Sequence, residues 1–259
     1  MRDALKHFAL LSLACLIILG MAGLYVRQSA LSEPIKEPMS HPFLAEKTPL
    51  VIAHPGLDAK KEPGPRTFAE AAKLPNHVVI WADIHLDLSN RLVANQADGT
   101  TISLGQLLES QPTRRFVLNF TGNRPGMSDV IVGTLDDSKA SDRILVQSPE
   151  DGLLKDLREE RPKWIFGTSR QQTTIMTMLS SIGLEAAAPV RGDVYVAEWD
   201  KVRGKMDLPK RIVDEIHRRR LRVIAGPVDG KQAADELISK GVDGVLVSRP
   251  GELIDQATR

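Results

Sequence analysis

Two histidines and an aspartate offer the clearest chemistry in this chain. His54 ends the apolar run LVIAHPG, and Asp83 and His85 lie in VVIWADIHL. Successive side chains of a strand point to opposite faces, so residues 81, 83 and 85 share one face and His85 points the same way as Asp83. A histidine titrates near neutral pH, so His85 there could carry a proton, or it could be a packed or solvent-facing histidine. Trp81 on the same face could stack on a ligand or simply fill space. Gly167-Thr168-Ser169 follows one strand-like run and precedes a helical one. That geometry presents backbone amides and hydroxyls to a phosphate, and serves equally as a turn and helix N-cap. The sequence holds no zinc-type Cys/His cluster, P-loop, glycine-rich dinucleotide motif or GxSxG nucleophile elbow.

The elements that must carry these residues follow from periodicity. Beyond Lys47, short β-branched runs alternate with amphipathic helical stretches, the pattern of parallel strands joined by helical crossovers. The runs are 50–54, 77–86, 115–120, 142–147, 163–166, 193–199, 221–228 and 242–248. The helices are 67–73, 104–110, 125–135, 150–160, 170–182, 209–220 and 231–240, with a short last one from Gly251. Ser148-Pro149-Glu150-Asp151 opens one helix, and Gly183 and Gly241 stop two others. Ile175, Met178, Leu179 and Ile182 recur at helical spacing, which places Met178 in the core and Met176 off the stripe. Eight strand-helix repeats fit a closed (β/α)8 TIM-type barrel, with an open doubly wound sheet as the alternative; in a barrel the chemistry gathers at the carboxyl ends of the strands.

The bulk numbers agree with one large domain. Of 259 residues, 42% are hydrophobic and 26% charged, and the formal net charge of +1 gives no reason to expect nucleic acid as a partner. Arg218, Arg219, Arg220 and Arg222 read as a solvated helix end. The one cysteine, Cys15, lies in the apolar leader, so the folded part has no internal disulfide. Ser12-Leu13-Ala14 before it is a poor lipidation signal. Phe8 to Val26 is uncharged, and 19 residues at about 1.5 Å each nearly match a bilayer's hydrocarbon core. Arg2 and Lys6 precede this run, so the positive-inside bias puts everything after Arg27 on the periplasmic side. The expected organisation is a single-pass transmembrane anchor over 1–27 in the cell membrane, a proline-containing linker over 28–47 and the barrel over 48–259. A cleaved signal peptide is the rival, for which Gln28-Ser29-Ala30 is a poor site.

Three stretches together resemble the glycerophosphodiester phosphodiesterases. Ala53-His54-Pro55-Gly56 and the following KEPGPRTFAEAAKL are similar to that family's Ala-His-Arg-Gly and Pro-Glu-Asn-Thr segments. VVIWADIHL stands where the family has Glu-x-Asp-Val, and GVDGVLVSRPGEL resembles its Gly-Val-Asp-Gly-Ile-x-Thr-Asp-Arg-Pro. The resemblance runs from about Pro49 to Leu253. It implies a phosphoric diester hydrolase of lipid metabolism, acting on a glycerol-linked phosphodiester with two histidines as acid and base and a calcium or magnesium ion held by carboxylates.

Carried over residue by residue, the resemblance makes His54 the first catalytic histidine, Asp83 a metal ligand and Asn119 the occupant of the third strand's metal-binding glutamate position. Pro55 replaces a phosphate-contacting arginine, Pro65 or Arg66 falls where the first loop's glutamate belongs, and Trp81 takes the second strand's glutamate position. Gln96 lies nearest the second histidine. One aspartate with an asparagine is a weak cage for a hard cation. The expectation is a divergent, catalytically impaired member, a pseudoenzyme that binds a phosphate- or glycerol-type ligand through Trp81, Gln96 and Ser169, or a partner. The alternative is an active hydrolase with a rearranged site, in which His85 stands in as the second proton carrier or Glu62 or Asp58 supplies a carboxylate.

Overall fold

The computed structural model describes residues 2–32, 40–45, 49–55, 67–96, 98–198, 208–228, 230–247, 250 and 253. In chain order the elements are α1 (Arg2–Ser32), β1 (Leu50–Ala53), α2 (Phe68–Ala71), β2 (Val79–Leu86), β3 (Leu92–Asn95), β4 (Thr101–Ser103), α3 (Leu104–Ser110), β5 (Phe116–Phe120) and α4 (Met127–Asp137). They continue with β6 (Ile144–Gln147), α5 (Asp151–Glu160), β7 (Ile165–Phe166), α6 (Arg170–Ser181), β8 (Val194–Glu198), α7 (Lys210–Arg218), β9 (Arg222–Val228), α8 (Gly230–Ser239) and β10 (Gly244–Val247). Within α1, Lys6–Val26 is long and apolar enough to cross a membrane.

Eight strands pair in parallel in the order β7-β6-β5-β2-β1-β10-β9-β8. A parallel bridge between Gly167 and Val194 then joins β7 to β8. The result is the nearly closed (β/α)8 barrel, and the open sheet is set aside. Asp193 secures the seam: its N–H donates to the Phe166 carbonyl at 2.7 Å, and its carboxylate accepts from the Phe166 N–H at 3.0 Å. A Cβ at Gly192 would stand 2.6 Å from the Gly167 carbonyl oxygen, so the close approach at this seam requires glycine.

Alternation along each strand sorts the core into two regions. Leu50, Ile52, Val79, Trp81, Val117, Leu145, Val196 and Leu246 belong to the cluster inside the barrel, while the opposite faces pack under the helices. Phe43 joins the inner cluster with no exposed surface. It is delivered by a 3-10 turn, Pro42–Leu44, and held by Arg115, which donates to the Phe43 carbonyl at 3.0 Å and lies 5.6 Å from its ring. Burying such a side chain contributes about 1.5–3 kcal/mol. Pro42–Leu44, within the stretch read as a linker, thus plugs the barrel with Phe43.

Three expectations need correction. β2 extends past the barrel, and Ile84, His85 and Leu86 pair antiparallel with β3, which pairs with β4. This hairpin was not anticipated, because LVAN and TIS are short and flanked by polar residues. On α6 the buried residues are Gln172, Met176 and Ser180, while Met178 and Ile182 are 65% and 68% exposed. Hydrogen bonds made by Gln172 and Ser180 let polar residues occupy the inner face, which hid its phase. Finally, the arginine cluster is largely structural. Arg218 and Arg219 grip Glu215 at 2.8 and 2.7 Å, Arg219 also caps the Ala186 and Ala188 carbonyls, and Arg222 donates to the Leu44 carbonyl at 3.0 Å. Gly183 and Gly241 stop their helices at φ +74 and +94, as expected. The last helix, from Gly251, lies largely outside the described residues.

Candidate functional site

The barrel brings four polar side chains to the carboxyl ends of neighbouring strands. His54 follows β1, Asp83 lies on β2, Asn119 on β5 and Gln147 on β6; Asp83 pairs in register with Asn119, and Asn119 with Gln147. Each stands two residues beyond an inward-facing apolar residue, namely Ile52, Trp81, Val117 and Leu145. The period of two therefore carries the polar layer on top of the apolar core.

Asp83 is the hub. Its Oδ1 accepts from Trp81 Nε1 at 2.8 Å and from Asn119 Nδ2 at 2.8 Å, and its Oδ2 lies 3.1 Å from His54 Nε2. Partial burial opposes the charge on this carboxylate. The hydrogen bond and charge of His54, with the bonds from Asn119 and Trp81, outweigh it and hold the pKa at about 2. About half of the side chain, 48%, still faces solvent.

His54 is held on three sides. Besides Asp83, its Nδ1 lies 3.2 Å from the Pro55 carbonyl oxygen, and its ring stacks on Trp81 with centroids 6.2 Å apart and planes at 22°. Both ring nitrogens thus face oxygens of the protein itself. Trp81 is 3% exposed, so its indole fills the barrel beneath the site while its N–H steers Asp83.

The remaining sequence candidates sit elsewhere. His85 lies two residues further along β2, opposite Val93 of the hairpin, half-buried and without a side-chain hydrogen bond among the described residues. Gln96 ties the hairpin to α2: its Oε1 accepts from the Phe68 N–H at 3.0 Å and its Nε2 donates to Thr100 Oγ1 at 2.8 Å. Ser169 is fully buried. It caps α6 through the Gln172 N–H at 3.4 Å and donates to Asp151 Oδ1 at 2.8 Å, where Gln172 Nε2 also donates at 2.6 Å. Gln96 and Ser169 thus commit their polar ends to these structural bonds.

Sequence reasoning missed Gln147. Its Nε2 donates to the Thr168 carbonyl at 3.0 Å, and its Oε1, like Asn119 Oδ1, is enclosed without a partner. The signal was available in ILVQ: a polar residue ends an apolar strand in phase with Asn119 of FVLNF.

A hard divalent cation needs several free anionic oxygens. Here both oxygens of Asp83 already face N–H donors, and among the described residues no group of three or more His, Cys, Asp or Glu side chains is placed to hold a metal. The described residues do not fit calcium or magnesium. Asp58 and Glu62, the possible replacements, lie outside them.

No protein-family model and no curated protein matches the sequence. Solved structures do match. A glycerophosphoryl diester phosphodiesterase of Silicibacter pomeroyi aligns with TM-score 0.61 at 14% identity, over 83% of this chain and 95% of its own. A glycerophosphodiester phosphodiesterase of Galdieria sulphuraria gives 0.61 at 12% identity, over 82% and 99%. An Oleispira antarctica phosphodiesterase, solved in complex with the product sn-glycerol-3-phosphate, gives 0.57 at 15% identity, over 82% and 97%. The resemblance carried by three short sequence stretches thus extends to the whole barrel, and the chain has the fold of the glycerophosphodiester phosphodiesterases.

Proposed function

We propose that this protein is a membrane-tethered, glycerophosphodiester phosphodiesterase-like barrel that lacks metal-dependent hydrolysis and binds a phosphate- or glycerol-type ligand, or a partner, at its mouth. The observation that carries this reading is the occupation of Asp83. Trp81 and Asn119 donate to its Oδ1 and His54 faces its Oδ2, and among the described residues no group of three or more His, Cys, Asp or Glu side chains surrounds it, where metal catalysis needs several anionic oxygens. The product-bound Oleispira antarctica relative supports a ligand of glycerophosphate size. The apolar helix Lys6–Val26 supports an anchor in the cell membrane, and Arg2 and Lys6 ahead of it favour a periplasmic barrel. Under this reading His54 and Asn119 position Asp83 and are not an acid-base and metal pair.

The test is turnover. The full chain, purified in detergent, is assayed with glycerophosphocholine in calcium and in magnesium. No metal-dependent release of choline is expected, while sn-glycerol-3-phosphate raises the melting temperature. Metal-dependent turnover that disappears in His54→Ala overturns the reading.

A second reading, an active phosphodiester hydrolase with a rearranged site, is favoured by the 3.1 Å contact between His54 Nε2 and Asp83. A carboxylate-held histidine can move a proton. In that reading His85 is the second proton carrier and a divalent cation has to be recruited. Its mark is turnover lost in both His54→Ala and His85→Ala.

A further inference from the structure

The anchor helix and the start of the barrel meet the fold on its floor, the face opposite the mouth. Each strand runs from floor to mouth and each helix runs back, so helix C-termini and the turns that follow them lie on the floor. The backbone of α1 comes within 8 Å, Cα to Cα, of the 3-10 turn Glu185–Ala187 between α6 and β8. That turn is a fixed shelf, because Arg219 donates to the carbonyls of Glu185, Ala186 and Ala188 at 3.1, 2.9 and 2.7 Å. The chain joins the floor at the Phe43 plug, which Arg115 and Arg222 hold through the Phe43 and Leu44 carbonyls. Nine residues separate Ser32 from Pro42, which is at most about 30 Å of extended chain. None of Lys6–Val26 is buried, so the apolar span stands clear of the barrel it is tied to.

The surface next to the shelf is apolar. Met178, in the last turn of α6, and Ile182, at its C-cap, are 65% and 68% exposed and lie just before the shelf in the chain. Among the described residues outside α1, the other exposed large apolar side chain is Leu88, on the β2–β3 turn at the mouth end, where neither attachment lies. Exposed charges at the helix ends of the floor are of both signs, Lys139 and Lys163 with Asp137 and Asp142, so a contact there does not call for anionic lipid. A bilayer's interfacial layer takes up apolar side chains flanked by charge, and the span brings that layer to this face. Resting on the membrane-anchored reading above, we propose that the barrel docks floor-down on the headgroup layer of the bilayer, with Met178 and Ile182 in the interface and the mouth turned to the aqueous side. Ligands then reach Asp83 from solution and not from the plane of the membrane.

The experiment is fluorescence quenching on the full chain, carrying Cys15→Ser and reconstituted in phosphatidylcholine vesicles that contain a lipid spin-labelled on its headgroup. One fluorophore is attached at a time, through Asn76→Cys or Ser181→Cys on the floor and through Leu88→Cys or Asn123→Cys at the mouth, all exposed positions. The floor probes are expected to lose fluorescence when the spin label is present, and the mouth probes to keep theirs. Met178→Ser together with Ile182→Ser should relieve the quenching read at Asn76. Two positions on each face leave a comparison standing if one variant fails to fold. Quenching at the mouth, equal quenching at both ends, or quenching at Asn76 untouched by the paired serine substitutions overturns the proposal. A blue shift at Ser181 without quenching also overturns it, because a protein surface and not lipid then covers that face. Alkaline carbonate separates the two readings: release of the chain from the vesicles ends the anchored reading and the docking with it, whereas retention without floor quenching ends the docking alone.

Discussion

Asn119 Nδ2 donates a 2.8 Å hydrogen bond to Asp83 Oδ1 across one strand pair. An amide thus stands where the family resemblance places an acid, and a pair that would repel without a cation becomes donor and acceptor. Asn119→Asp removes the donor and sets two carboxylates together. In chelator at neutral pH it should destabilise the barrel by about 2 kcal/mol, and calcium should restore part of the loss. Urea midpoints with and without calcium measure both, and an unchanged midpoint contradicts the donor role of Asn119.

Acid stability reports the same cluster. Asp83 titrates at about 2 in the folded protein against its ordinary 3.8. Its folded pKa is depressed, so its stabilisation is fully present above 3.8 and is lost as pH falls through that window toward 2. With 48% of the side chain open to solvent, the contribution is discounted to on the order of 1 kcal/mol. Asp83→Asn should flatten the stability curve between those two pH values, seen by circular dichroism; an equally steep curve in the variant would place the acid sensitivity elsewhere.

Phe43 tests where the barrel begins. It is fully buried at the floor and held by Arg115, so Phe43→Ala should cost about 3–5 kcal/mol. A residue in a mere spacer would cost nothing measurable in the same chemical denaturation.

Gly167 tests the placement of Gln147. A Cβ there would stand 1.8 Å from Gln147 Oε1 and 3.1 Å from Val196 Cγ2. Gly167→Ala therefore expels the Gln147 amide from its bond to the Thr168 carbonyl, at a cost of about 1–3 kcal/mol. Gln147→Ala in the same chain should return much of that loss, a coupling that a double-mutant cycle reads directly. Strict additivity would mean that the clash lies elsewhere.

The barrel was legible because its eight strands are short apolar, β-branched runs separated by helical stretches, and because Gly183 and Gly241 mark helix ends through positive φ. His54 and Asp83 were legible as strand-end residues. What stayed hidden depended on contacts distant in sequence. Phe43 lies among prolines, and nothing local says that its ring enters the barrel. Ser169 and Gln96 look available in sequence, yet Asp151 and the Phe68 N–H claim them from 18 and 28 residues away. Gln147 was overlooked because a single amide at a strand end has no motif; its meaning comes from Asn119 beside it. On α6 the hydrophobic stripe misled, since polar partners buried Gln172 and Ser180 in its stead.

The state of Asp83 decides whether a cation can act at the mouth, and a crystal soaked in calcium reads it directly. The account predicts Trp81, Asn119 and His54 still around the carboxylate and no ion within bonding distance of it. A calcium ion coordinated by Asp83, with those N–H contacts broken, would contradict it.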